Sequence, residues 1–189
     1  MLGYIQHQNQ ILTYKLKNKN MKTLVIHPRD YTTRFLKLVY QDHPEWTVLE
    51  DSVSNSELKN QIKNHDRIVM LGHGTGYGLL GWNKFVIDST LVYLLREKVL
   101  FAVWCNCDIF FKRYDLKGFF TGMIISELQE AYMCDVESTE EEVEEYNWLF
   151  AEALQKSINE PNILETAKSI YIGDNPLVEF NQNRMYFAE

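Results

Sequence analysis

The sequence predicts an α/β protein, a three-layer α/β/α sandwich on a mainly parallel sheet. Short apolar runs recur along the chain, and a continuous run of about four to six such residues reads as a strand buried on both faces. Segments with helical apolar spacing separate these runs, and that alternation implies parallel strands joined by helices packed on the sheet. The chain has 189 residues, 46% of them hydrophobic, enough for one domain with its own core.

Residues 1–20 are polar, rich in Gln, Asn and Lys, and weakly patterned. They read as a tail outside the native fold, with an edge strand over 10–16 as the competing reading. A single domain is expected over 21–189. Its first strand spans 22–27 and ends at His27-Pro28. A helix over 31–42 carries the apolar stripe Phe35, Leu36, Val39 and Tyr40. Strand 46–50 follows, then a helix over 54–64 with Ser54 or Asn55 as its cap. The third strand, 67–72, leads into a Gly-rich, aromatic stretch over 73–88 that suits a small hairpin. A helix over 89–97 precedes the fourth strand, 99–104, and a short helix near 107–114 follows it.

Residues 118–127 lead into a helix reaching Ala131. Ser138-Thr139-Glu140-Glu141 is a capping-box pattern opening an acidic helix over 139–158, whose Glu run suits a solvated helix N-terminus. A short helix over 161–168, a last strand over 169–173 and an edge segment within 174–189 complete the reading.

The formal net charge is −7, which argues against nucleic acid as a partner. No apolar run approaches the roughly 18 residues of a membrane span, so no membrane association is expected. Cys105, Cys107 and Cys134 are too few and too uneven for a disulfide framework and read as reduced thiols, which implies a cytoplasmic setting. The opening residues lack the basic-then-apolar pattern of a secretory signal.

Two phrases carry chemistry. Arg67-Ile68-Val69-Met70-Leu71-Gly72-His73-Gly74 ends an apolar run on a His, and Val99-Leu100-Phe101-Ala102-Val103-Trp104-Cys105-Asn106 ends another on a Cys. Ligands of open α/β sheets bind outside the carboxyl ends of the strands. Neighbouring strands would therefore bring an imidazole and a thiol to one rim, as a cysteine nucleophile and its base require. Gly74 leaves its backbone N–H free to approach a ligand as an oxyanion donor. Cys105 falls near the start of the next helix, which would lower its pKa.

Other patterns are weaker. A metal set from Cys105, Cys107, His73 and Cys134 lacks a second Cys pair at zinc spacing, so no metal is expected. The run Gly72 to Gly78 fails the dinucleotide fingerprint and lacks a phosphate-loop Lys. Cys107 reads as an inward helix residue, with a role as the nucleophile as its alternative. Arg29, Arg34 and Asp30 follow the first strand on the same rim, and Asp108 and Glu127 lie near it.

An apolar strand with His-Gly, then an apolar strand with Cys, resembles the caspase-like clan of cysteine peptidases over about residues 22–135. The resemblance implies a caspase-like fold, His73 as base and acid, Cys105 as nucleophile, and the Gly74 and Cys105 amides as oxyanion donors. It implies a peptide or protein substrate and no cofactor. Arg29, Asp30 and Asp108 are the candidates for binding substrate side chains. Val103-Trp104-Cys105 stands where caspases carry Gln-Ala-Cys. A second reading is therefore a catalytically inactive caspase-like signalling or interaction domain, using the acidic helix or Tyr77, Trp82 and Phe85. A third is a flavodoxin-like ligand-binding module. The sequence leaves the oligomeric state open.

Overall fold

Thr23–Ile26, every residue buried, forms the first strand, β1. The computed structural model describes residues 21–81 and 83–189, so both readings of residues 1–20 lie outside the described residues. After β1 the chain makes only a short 3-10 helix, Arg34–Val39, where a helix over 31–42 was expected. Thr32 N–H donates to Asp30 Oδ1 (2.9 Å), a local turn that delays the start. Lys37 O accepts from both Tyr40 N and Gln41 N, which closes the end. Strand β2 (Thr47–Leu49) is followed by helix α1 (Asn55–Asn64), whose N-cap Ser54 accepts from Glu57 N at 3.1 Å. Leu58 and Ile62 point inward from α1.

Strand β3 (Arg67–Leu71) is fully buried. Beyond it the Gly-rich stretch forms a small antiparallel sheet of β4 (Gly74–Thr75), β5 (Gly78–Gly81) and β6 (Lys84–Ile87). A 3-10 turn and the single-turn helix α2 (Val92–Leu95) lead to β7 (Val99–Val103). Helix α3 (Cys107–Tyr114) buries Cys107 completely. Gly118–Thr121 is a strand, β8, rather than the approach to a helix. Helices α4 (Leu128–Met133) and α5 (Glu140–Ser157) follow, the latter opened by the expected capping box between Thr139 and Glu142.

The strand expected over 169–173 is absent because helix α6 (Ile163–Ile170) runs into it, with Ile163, Ala167 and Ile170 at helical spacing. The chain ends in α7 (Pro176–Gln182) and the edge strand β9 (Met185–Ala188).

The molecule is thus an α/β protein with a six-stranded, mostly parallel sheet in the order β2-β1-β3-β7-β8-β9, β9 alone being antiparallel. Helices cover both faces of the sheet. Val25, Val69, Leu71, Phe101 and Val103 pack with the 3-10 helix, α5 and α6 on a first face. Leu24, Ile26, Ile68, Met70, Leu100 and Ala102 pack with α1, α2 and α3 on a second. That alternation is the period of two of a strand buried on both sides. Among the described residues, no helix is long and apolar enough to cross a membrane.

Candidate functional site

β3 and β7 pair directly in parallel, with Leu71 opposite Val103, and Gly72 N–H donates to Val103 O at 3.0 Å. His73 and Cys105 therefore leave neighbouring strands at the same carboxyl end. Beyond the strand ends, His73 reaches Thr32, just before the 3-10 helix that packs in the first cluster, and Cys105 reaches the carbonyl of Ile124, a member of that cluster. Gly72 makes the exit possible, since its φ of +137° is one that side chains rarely adopt.

His73 is oriented by the loop after β1. Its Nε2 lies 2.6 Å from Thr32 Oγ1 and 3.5 Å from Asp30 Oδ1. Thr32 Oγ1 donates to Asp30 Oδ1 at 2.7 Å. An ionised carboxylate only accepts, so the one hydroxyl proton of Thr32 goes to Asp30 and its oxygen accepts from His73 Nε2–H. Nδ1 is then the nitrogen with a lone pair, the atom able to take a proton. The Thr32 hydroxyl, more than any other group, holds the Asp30 carboxyl below its ordinary pKa.

Cys105 turns the other way. Its S–H reaches Ile124 O at 3.6 Å and Glu130 Oε1 at 3.8 Å. Glu130 is itself fixed, its Oε2 accepting from Ser126 N (2.8 Å), Ser126 Oγ (2.9 Å) and Glu127 N (3.3 Å). The expected lowering of the thiol pKa by a helix N-terminus and His73 is reversed. Burial above all, and then the Glu130 carboxylate, pushes Cys105 up to about 12. Cys105 precedes Asn106, which caps α3 in a left-handed conformation (φ +62°). It thus lies outside the first helical turn, where the dipole acts.

Gly74 abuts the Trp104 indole so closely that a Cβ would lie 2.1 Å from Trp104 Cδ1. Leu80 N–H donates to His73 O at 2.8 Å. By the alternation of an antiparallel pair, Gly74 N–H then points away from β5. Trp104 itself is sealed into the second face, its Nε1 donating to Thr75 O at 3.1 Å.

The other expected site residues are dispersed. Arg29 reaches outward to Glu50 and Asp51 at 3.3 and 3.4 Å. Asp108 pairs with Lys112 at 2.9 Å, and Arg34 with Glu144 at 3.3 Å. Asp30 alone of the three substrate-binding candidates contacts His73. Tyr77 and Phe85 are exposed, while Trp82 lies outside the described residues. Among the described residues no group of His, Cys, Asp and Glu converges as a metal set. Thr32 and Glu130 escaped the sequence reading, although Asp30-Tyr31-Thr32 carries a turn signal and Glu127 to Glu130 the spacing of a cap.

No family model, curated protein or solved structure matches the chain. What fold and site define is a class by geometry: a mostly parallel α/β sheet with an imidazole and a thiol at the carboxyl ends of adjacent strands.

Proposed function

We propose that this chain is a caspase-like cysteine peptidase held in a resting arrangement, a three-layer domain with His73 as base and Cys105 as nucleophile. One observation carries the reading. The two residues follow the carboxyl ends of directly paired parallel strands in matching register. His73 Nδ1 takes the Cys105 proton, and the thiolate attacks the carbonyl carbon of a bound peptide. A C–S bond forms, the oxyanion meets the Gly74 and Cys105 N–H groups, and the amine leaves with the proton from His73. Water, activated by the same imidazole, then releases the acid and restores the thiol. Catalysis requires the Cys105 side chain to turn from Glu130 towards His73.

The environment of Cys105 favours one second reading, a non-catalytic interaction domain of the same fold, because a buried thiol facing a carboxylate is a poor nucleophile. Incubation of the full chain with peptidyl acyloxymethyl ketones, with mass spectrometry to locate the adduct, separates the two. The peptidase reading expects an adduct on Cys105 that is lost in His73→Ala. No adduct, or one on Cys134 and Cys105 alike that ignores His73, leaves the interaction domain.

A further inference from the structure

A cavity of about 390 Å³ opens between the segment Tyr31 to Phe35, the start of α4 and the first half of α5. Its walls include groups that fix the surroundings of both candidate residues. Thr32, bonded to His73, lies on one side, and Ser126 and Glu127, whose N–H groups fix Glu130 beside Cys105, lie on the other.

Asn147 is out of place on the buried face of α5, between Val143 and Phe150, and is 7% exposed. Its Nδ2 donates to Ser126 O at 2.8 Å. Its Oδ1 has no donor among the described residues, and no unpartnered side-chain oxygen there is sealed from solvent, so Oδ1 opens onto the cavity that Asn147 lines. An acceptor so placed is stabilised by a ligand N–H.

The charge of the cavity selects that ligand. Glu127, Glu140 and Glu144 line it against a single cation, Arg34, which is committed to Glu144 at 3.3 Å.

We propose that the cavity binds an arginine side chain of a peptide, with Asn147 Oδ1 as acceptor at its floor and Glu127 and Glu140 as counter-charges. This names a substrate class for the reading above and rests on it. A guanidinium offers several donors in one plane, which suits an amide acceptor flanked by two carboxylates better than a compact ammonium does.

The test is calorimetric titration of the full chain with an acetylated tetrapeptide amide carrying Arg, against the same peptide with citrulline, its neutral isostere. The Arg peptide is expected to bind about tenfold tighter or more. Glu140→Gln should cut that preference several-fold and leave citrulline binding unchanged, whereas Asn147→Leu removes an acceptor that both side chains use and should weaken both peptides. Glu140 is exposed on the first turn of α5, so its variant tests the site even if Asn147→Leu fails to fold. Equal binding of the two peptides, binding of neither, or an Arg preference untouched by Glu140→Gln overturns the assignment. An Arg preference without an adduct at Cys105 defeats the peptidase reading alone. An adduct at Cys105 without an Arg preference defeats the arginine site alone.

Discussion

Glu130→Gln removes a charge 3.8 Å from Cys105 Sγ and keeps the shape of the side chain. Two unit charges about 4 Å apart interact by about 1 kcal/mol in a water-like medium and about 4 kcal/mol at an effective dielectric near 20. The carboxylate opposes the thiolate by an amount in that range. Its removal therefore raises the thiolate fraction at fixed pH between about fivefold and several hundredfold. Burial, the larger cause of the pKa near 12, is unchanged, so the thiol stays less reactive than a free one. The new carbonyl still accepts from Ser126 N and Glu127 N, which preserves the cap of α4. The assay is the alkylation rate of Cys105 by iodoacetamide across pH, in a Cys134→Ala background that removes the other partly exposed thiol. Alkylation at least about fivefold faster at every pH below the thiol pKa is expected. A rate unchanged or lowered, at an unchanged melting temperature, would show that Glu130 does not hold this thiol neutral.

Gly74→Ala forces a methyl group to within 2.1 Å of Trp104 Cδ1, in an indole pinned by Thr75 O. It should cost about 1–3 kcal/mol and lower the calorimetric melting temperature by several degrees; no change would mean that the indole is free to move. His27 is buried between Tyr40 and Thr33, and burial lowers its pKa from 6.5 to about 4. The unfolded chain therefore binds the proton first. Stability is complete above about pH 6.5 and falls by about 3 kcal/mol as the pH drops towards 4. Denaturant titrations should show that slope and its loss in His27→Gln; a slope that persists in the variant belongs to another group. Thr32→Val removes the acceptor of His73 Nε2–H and a donor to Asp30. It should cost about 1 kcal/mol and shift the His73 ring nitrogen resonances towards mixed tautomers, whereas unchanged resonances would place the orienting group elsewhere.

The elements that bring His73 and Cys105 to one rim were legible because β3 and β7 are continuous apolar runs, the pattern a central parallel strand must have. The opening of α5 was legible for a similar reason, since its cap is made by residues three apart in sequence. β8 was not, and β9 only as an edge segment within 174–189, a range that also holds helix α7. Its partner β8 offers a run too short to separate from a helix entry. The orientation of the two candidate side chains was hidden for a different reason. His73 is turned by Thr32, 41 residues away, and Cys105 by Glu130, 25 residues away. A cap signal predicts where a helix begins; it does not say which side chain the spare carboxylate oxygen meets.

One carboxylate stands beside each of the two candidate residues. Asp30, through Thr32, orients the His73 ring so that Nδ1 is the nitrogen with a lone pair. Glu130 disfavours a negatively charged Cys105. Transfer of the Cys105 proton to His73 therefore needs the rotation of the thiol out of the Glu130 field. The bonds that oppose that rotation are S–H contacts of 3.6 and 3.8 Å, individually weak. Burial and charge, not bond strength, keep the thiol neutral, so whatever shifts the 126–130 segment decides whether this rim can carry a nucleophile. The arginine cavity is lined by that segment. Under the proposed function, occupancy there and the reactivity of Cys105 are then two readouts of one local rearrangement.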